Sequence, residues 1–309
     1  MKFAKSSLLL AAISGVSFSA LADVEVYGKA NITAQSSDEG DGSFTELKSN
    51  ESRFGIKGGE KINDGLEVIY QFEFKVDVSD ADSKGDEDNI TARNQFVGLK
   101  GSYGMLTAGR DYSALRKSQG KIDQFNDLEG DLKNVFKGEV RTGNALHYTS
   151  NSMNGFSAYA TYVVEDNAQG DNSYSAAVTY GDSRLKETKF YAAIAGDYEM
   201  EGHDIIRATV ATKVAGIKLG AMYQSQERLI DKVDSDGFLV SAAYDISQFT
   251  LKAQYQTLDS DDGLDKSGYS IGADYNLNKN TRLFTFYTDY DYALKDDASY
   301  LALGLEYKF

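Results

Sequence analysis

Residues 300–309 read Tyr-Leu-Ala-Leu-Gly-Leu-Glu-Tyr-Lys-Phe and alternate between two kinds of side chain up to the final Phe309. The odd positions hold leucine and aromatic residues, whereas Ala302, Gly304, Glu306 and Lys308 lie between them. Successive side chains of a strand point to opposite faces, so this segment has one apolar and one mostly polar face. Chain ends are usually frayed and polar unless something holds them. An apolar register that reaches the last residue therefore predicts a paired terminal strand.

The other end of the chain indicates export. Lys2 and Lys5 precede an apolar run over 8–16, and the small residues of 20–22 form a cleavage site for a signal peptidase. An apolar core of this length is too short to cross a bilayer as a helix. We therefore predict a signal peptide over 1–22 and a single domain over 23–309.

Composition excludes several classes of protein. The 309 residues include no cysteine and no proline, which excludes disulfides and thiolate metal sites and leaves every residue a backbone donor. The formal charge is −15 for the full chain and two units more negative without Lys2 and Lys5, which argues against a nucleic-acid partner. No segment after residue 22 has 18 uncharged apolar residues, so no transmembrane helix is predicted. An exported chain of this kind is either soluble or a closed barrel.

The alternation of the last ten residues recurs along the whole chain. In 249–257, for example, Phe249, Leu251 and Tyr255 oppose Lys252 and Gln254. No segment shows a convincing period of 3.6 residues over three helical turns. The pattern predicts sixteen antiparallel strands, at 24–35, 45–59, 64–78, 90–101, 104–110, 141–150, 154–165, 171–182, 187–197, 203–213, 215–226, 236–245, 248–258, 267–276, 280–292 and 298–309.

The connectors between these segments alternate in length. Those at 245–248 and 276–279 are short, whereas those at 79–89, 227–235 and 259–266 are longer and acidic. Short turns at one end and longer loops at the other are typical of bacterial outer-membrane barrels. The alternative is a secreted soluble β-sandwich or β-solenoid. It is disfavoured because the second face of these strands, rich in Lys, Gln, Glu and Thr, is too polar for a packed core.

A closed barrel accounts for both faces of the predicted strands. With lipid outside and water inside, each face meets its preferred medium and no sheet edge remains open. Tyrosines near the strand ends fit the aromatic girdles of such a barrel. Eight-stranded barrels are filled by side chains, but sixteen strands leave an aqueous channel. The sequence therefore predicts an all-β, sixteen-stranded antiparallel transmembrane β-barrel that lets small hydrophilic solutes and ions diffuse passively.

Five short motifs occur in a fixed order along the chain. They are Val26-Tyr27-Gly28-Lys29, the stretches 52–58, 94–100 and 104–110, and the terminal Tyr307-Lys308-Phe309. Together they resemble the trimeric, sixteen-stranded general porins of Gram-negative bacteria. The resemblance covers 23–309 and implies a homotrimer in the outer membrane, in contact with lipid and lipopolysaccharide. It also implies assembly by periplasmic chaperones and the barrel-insertion machinery, with Tyr307 and Phe309 belonging to the insertion signal.

The same resemblance implies an inward-folded third external loop that narrows the pore, at the place of the connector 111–140. Four acids lie within nine residues of this loop that contain no base: Asp123, Asp127, Glu129 and Asp131. In the porins it resembles, such acids face basic residues of the barrel wall. The positions matching those basic residues are Lys29, Arg53, Arg93 and Arg141. We predict that Asp127 and Glu129 point into the pore.

The charges of the predicted constriction bear on ion choice. Opposed rows of charge produce a transverse field, which low-dielectric walls strengthen and which favours polar over apolar solutes. Together with the negative net charge, the acidic external loops predict a weak preference for cations. A porin selective for one substrate is the nearest alternative, because a run of aromatic residues lining the channel cannot be recognised from this sequence.

Two further readings concern metals and catalysis. The acidic stretches 80–88 and 259–265 do not match an EF-hand, because the second reaches its glycine one residue early, and solvated loops are the preferred interpretation. We predict no metal and no cofactor. His147 and His203 are the only histidines and are predicted near opposite ends of the barrel, so no Ser/His/acid arrangement follows. An outer-membrane barrel enzyme is the remaining alternative, and we predict that the protein is not an enzyme.

Overall fold

A computed structural model describes residues 23–79, 89–164 and 172–309 of the chain. The predicted signal peptide and the acidic stretch 80–88 lie outside these residues. The strands are β1 (Asp23–Asp38), β2 (Phe44–Ser49), β3 (Arg53–Asn63), β4 (Leu66–Val76), β5 (Ile90–Gly101), β6 (Gly104–Tyr112), β7 (Arg141–Thr149), β8 (Phe156–Val163), β9 (Ser173–Tyr180), β10 (Phe190–Met200), β11 (His203–Val214), β12 (Ile217–Arg228), β13 (Val233–Ile246), β14 (Phe249–Ser260), β15 (Lys266–Asn276), β16 (Thr281–Tyr292) and β17 (Ala298–Lys308). Between β6 and β7 lie a short helix, α1 (Ala114–Ser118), and a 3₁₀ turn (Leu132–Asn134).

These strands form one closed antiparallel sheet. From β3 onward each strand pairs with the next one in sequence, and β17 pairs with β1 to complete the ring. β2 and β3 both pair with β1 and are separated only by 50–52, so together they occupy one strand position. The described part of the chain is thus a sixteen-stranded barrel, which confirms the prediction. The connector between β6 and β7 spans 113–140 instead of 111–140, because β6 extends to Tyr112.

Apolar side chains are exposed and polar side chains are buried in this barrel, the reverse of the arrangement in a soluble protein. Leu301 and Leu303 of β17 are 58% and 65% exposed, whereas Thr33 and Gln35 of β1 are at most 1% exposed. Cross-strand partners share a face, so the exposed apolar side chains form a continuous outer band and the polar ones point inward. No helix among the described residues is long and apolar enough to cross a membrane. The apolar face identified from the sequence is therefore the lipid-facing surface.

The ring closes at the C-terminus. Gly28 donates its backbone N–H to the carbonyl of Phe309 at 2.9 Å, and Phe309 donates back to Gly28 at 3.1 Å. The phenyl ring of Phe309 lies over Gly28, where a Cβ atom would come within 2.3 Å of it. A glycine opposite an aromatic residue is a recognised way to pin strand register. Phe309 thus completes the ladder between the two terminal strands.

We expect deletion of Phe309 to lower the yield of folded barrel severalfold, while channels that do form keep their conductance. The deletion removes two ladder hydrogen bonds and the ring that covers Gly28, each backbone bond being worth about 1 kcal/mol. Heat-modifiable mobility on gels measures the yield, and planar-bilayer recording measures the conductance. Deletion of Phe309 with unchanged yield would contradict this role, and Phe249→Ala, an outward aromatic at another strand end, is the control.

Candidate functional site

The connector 113–140 is called the constriction loop below, after its predicted role. Its first residues contact inward-facing side chains of β9 and β10. Ser113 caps α1 by accepting a hydrogen bond from the backbone N–H of Arg116 at 3.2 Å. Leu115 donates its N–H to Oγ of Ser175 on β9 at 2.9 Å, and Tyr191 of β10 donates its hydroxyl to the carbonyl of Ser118 at 2.7 Å. The first turn of the loop is therefore held by inward-pointing side chains.

The middle of the constriction loop packs through apolar side chains. These are Ile122, Phe125, Leu128, Leu132, Val135 and Phe136, all at most 5% exposed. They contact inward-facing residues of β10 to β17, among them Met222, Leu239, Phe286 and Tyr290. The rings of Phe125 and Phe286 meet edge to face at 6.4 Å. This cluster follows the inner wall across half the ring.

Sequence reasoning missed this apolar cluster. Met222 alternates in phase with Lys218 and Gln224, which puts it on the polar face of its strand, and the sequence prediction for the loop rested on its acids alone. The sequence did contain a signal for this cluster. Bulky apolar residues recur every three or four positions from Ile122 to Phe136, and a solvated loop does not need them. The burial of Met222 at 2% exposure follows from its contact with the loop.

Two of the four predicted acids reach across to β1, β2 and β3. Oδ2 of Asp127 lies 2.7 Å from Nζ of Lys29 and 3.3 Å from Nη1 of Arg53. Glu129 pairs with Lys48 and accepts a hydrogen bond from Gln35 at 2.9 Å. Burial alone would raise the pKa of Asp127, but Lys29 and Arg53 overcome this and hold the pKa well below its ordinary value. Lys48 was not among the predicted wall residues.

The other two acids bind the backbone of the loop itself. Asp123 accepts hydrogen bonds from the N–H groups of Phe125 and Leu132 at 2.9 and 3.0 Å. Asp131 accepts from the N–H groups of Asp127 and Lys133 at 2.8 and 2.9 Å and caps the 3₁₀ turn. Burial and the proximity of Asp131 raise the pKa of Asp123, and burial raises the pKa of Asp131. Both acids therefore shape the loop, and Asp131 also holds the backbone of Asp127.

Arg93 and Arg141, the other two predicted wall residues, contact none of the acids in 123–131. Nε of Arg93 lies 2.7 Å from Oε1 of Glu73, and its Nη1 pairs with Glu51. Nε of Arg141 donates to Asn94 at 2.9 Å, and its guanidinium stacks on the ring of Tyr112. The structure thus brings Lys29 and Arg53 to the loop acids and leaves these two on the neighbouring wall.

Glu51 reaches Arg93 because the second strand position is interrupted at 50–52. Glu51 has φ of 55°, in the left-handed region, and the flanking Asn50 and Ser52 hydrogen-bond to Thr33 and Asn31 of β1. Left-handed backbone at a non-glycine residue needs such local support. The sequence predicted an unbroken strand here, because the supporting partners lie on another strand.

The acids and histidines of the described residues are scattered: in 23–79, 89–164 and 172–309 no group of three or more His, Asp or Glu is arranged to hold a metal ion. Asp262 of the external stretch 259–265 binds Arg228 at 2.8 Å. Nδ1 of His147, on β7, contacts Oγ1 of Thr161, and Nδ1 of His203, at the start of β11, contacts the carbonyl of Glu201. The two histidines thus have separate, unrelated partners.

Comparison with known proteins agrees with this architecture. Residues 7–295 match the model of the Gram-negative porin family. The major outer membrane protein P.IB of Neisseria meningitidis is 29% identical over 312 residues, covering 90% of each chain. An anion-selective porin from Comamonas acidovorans superposes with a TM-score of 0.75 at 16% identity, over 94% of this chain and all of that one. The trimer form of OmpT from Vibrio cholerae superposes with a TM-score of 0.71 at 16% identity, over 94% of this chain and all of that one. The chain belongs to the Gram-negative porin family and forms a passive-diffusion channel in the outer membrane.

Proposed function

We propose that this porin passes small hydrophilic solutes and ions through a pore that the constriction loop narrows from inside the barrel. The observation that carries the proposal is the set of contacts between this loop and inward-facing side chains on both sides of the ring. The loop is bonded through Ser118 to Tyr191 on β10 and through Asp127 to Lys29 on β1. A segment attached in this way leaves solutes only the space between the loop and the wall from β3 to β8.

The wall of that remaining space favours a general porin over a substrate-selective one. The inward aromatic residues Phe284, Phe286 and Tyr290 of β16 are at most 2% exposed, because the constriction loop covers them. They therefore offer no aromatic track to a passing sugar. Polar and charged groups such as Arg53, Lys75 and Gln71 lie on inward positions of β3 and β4 instead.

Ion preference depends on two opposing sets of charge. The chain as a whole is strongly acidic, which concentrates cations at the pore mouths. The water-facing charges of the constriction loop are lysines, namely Lys121, Lys133 and Lys137, whereas its acids are paired or bonded to backbone. The lysines offset much of the acidic field, so the resulting preference for cations is weak.

We expect the potassium-to-chloride permeability ratio to lie between 1 and about 5, since a factor of five corresponds to about 1 kcal/mol. The zero-current potential across a planar bilayer in a KCl gradient measures the ratio. A ratio below 1 would contradict the proposed cation preference without affecting the channel itself. The same recordings test the proposed homotrimer, which would insert in conductance steps that close in thirds.

The assembled protein is proposed to contact outer-membrane lipid and lipopolysaccharide through the exposed apolar band. Chaperones and the insertion machinery would recognise the C-terminal strand with Tyr307 and Phe309. The family points to a channel in place of an enzyme, and we propose no catalytic role for His147 or His203. An outer-membrane hydrolase would instead show substrate turnover by purified protein and no stepwise conductance.

A further inference from the structure

The turn 181–189, between β9 and β10, folds into the barrel from the end at which β1 begins and β17 ends. Asp182 orders this turn by accepting backbone N–H groups of Arg184, Lys186 and Glu187 at 2.9, 2.8 and 3.2 Å. Leu185 packs against the apolar cluster of the constriction loop. The turn is therefore a fixed part of the lumen wall, seated beneath the constriction loop.

A cavity of about 290 Å³ lies where this turn meets the constriction loop. Ile122, Leu185, Ala211 and Gly220 supply apolar parts of its lining, and Gln124 and Ser183 supply uncharged polar groups. Its charged lining is entirely basic, consisting of Lys121, Arg184, Lys186 and Lys218. These residues come from three separate elements, the constriction loop, the turn 181–189 and β12. Four cations from three elements are concentrated in a space that water and a small solute can enter.

Most of this positive charge lacks a counter-charge within the protein. Across 23–79, 89–164 and 172–309, no carboxylate lies within 4.0 Å of Lys121, Arg184 or Lys186, whereas Lys218 pairs with Asp245 at 2.9 Å. The turn holds two acids: Asp182, whose oxygens accept backbone N–H groups, and Glu187, which is exposed and has no ion pair within 4.0 Å among the described residues. Because these like charges line one small cavity, they repel one another. An anion placed between them would relieve this repulsion.

We propose that Lys121, Arg184, Lys186 and Lys218 form a binding site for small phosphate-bearing solutes on the periplasmic side of the constriction loop. The site rests on the proposed function, because a solute reaches it only through the pore. A multivalent oxyanion matches the geometry better than chloride, since several cations converge and each phosphate oxygen accepts a charge-assisted hydrogen bond. Arg184 supplies the planar fork suited to phosphate, and Ser183 supplies a hydroxyl donor.

The test measures block of the potassium chloride current by inorganic phosphate and pyrophosphate in planar bilayers. At constant ionic strength, both should reduce the wild-type current with saturation, and pyrophosphate should act at the lower concentration. The double variant Arg184→Gln with Lys186→Gln should raise the half-blocking concentration at least about fivefold, because two unit charges near the anion are lost. Single-channel conductance in potassium chloride should change far less, since neither residue lies at the contacts that attach the constriction loop.

A matched double variant controls for the loss of two positive charges. Lys61 and Lys279 are exposed at the same end of the barrel and have no carboxylate within 4.0 Å among the described residues. Lys61→Gln with Lys279→Gln should leave the block unchanged. Absence of saturable block in wild-type channels, or equal weakening by both double variants, would overturn the site. Absence of any channel would instead contradict the proposed function, so the two failures are distinguishable.

Discussion

Exchange of Asp127 for Asn together with Glu129 for Gln should raise the chloride-to-potassium permeability ratio by about fivefold or more. A unit charge at 4 Å is worth about 1 kcal/mol even at the dielectric constant of bulk water, which corresponds to about fivefold in ion partitioning. Two carboxylates are lost in this variant, and Lys29, Arg53 and Lys48 lose their partners. Freed cations beside the ion path attract anions, so the direction of the change follows from the sign of the exposed charge.

The zero-current potential in a salt gradient measures this change, and two further measurements limit its interpretation. Lys29 is only 6% exposed, and a buried cation without its partner is destabilising, so the loop itself could shift in the variant. Exclusion of polyethylene glycols of graded size reports such a shift separately from charge. Asp41→Asn with Asp64→Asn removes the same charge from exposed positions and should leave the ratio nearly unchanged. Equal ratios in both double variants would place Asp127 and Glu129 away from the ion path.

The pH dependence of the wild-type channel offers a related check. The pKa of Asp127 in the folded protein lies well below that of a free aspartate, about 3.9. A carboxyl group with a depressed pKa contributes its stabilisation above the unfolded pKa, and this is lost as the pH falls through the folded pKa. The pairs of Asp127 with Lys29 and Arg53 should therefore persist from pH 8 to pH 5. Asp127→Asn should accordingly shift the permeability ratio equally at both pH values.

Replacement of Phe125 with alanine should detach the middle of the constriction loop and increase the largest solute that passes. Phe125 is fully buried, meets the ring of Phe286 and lies 5.0 Å below Nζ of Lys252. Truncation of a buried phenylalanine typically costs about 3–5 kcal/mol. A loop held by one such cluster and a few ion pairs cannot absorb that loss, whereas the strand ladder of the barrel is untouched.

Polyethylene glycols of graded size in single-channel recordings measure the effect of Phe125→Ala. We expect a larger exclusion size and more current noise, at a barrel unfolding temperature close to that of the wild type. Phe156→Ala truncates a phenylalanine that is 52% exposed on the outer face and should change neither exclusion size nor noise. If Phe125→Ala kept the wild-type exclusion size, the apolar cluster would not hold the loop that narrows the pore.

The strands were predictable because alternation is a property of neighbouring residues. β5 begins and ends where the pattern predicted, at Ile90 and Gly101, and the other fifteen strand positions differ by a few residues. The break at 50–52 was not predictable in this way. It depends on hydrogen bonds from Asn50 and Ser52 to β1, about twenty residues earlier in the chain. Alternation alone does not reveal such contacts.

The sequence by itself determined a barrel of sixteen strands, its lipid-facing surface and a paired terminal strand that ends at Phe309, because each follows from a two-residue period repeated along the chain. Only the tertiary structure decided what the charges of the constriction loop do. Asp127 and Asp131 are four residues apart and chemically alike, yet one meets Lys29, 98 residues away, and the other caps a turn. That difference arises because the buried apolar cluster fixes the path of the loop across the barrel wall. The same packing seats the turn 181–189 beneath the loop and brings the four cations together.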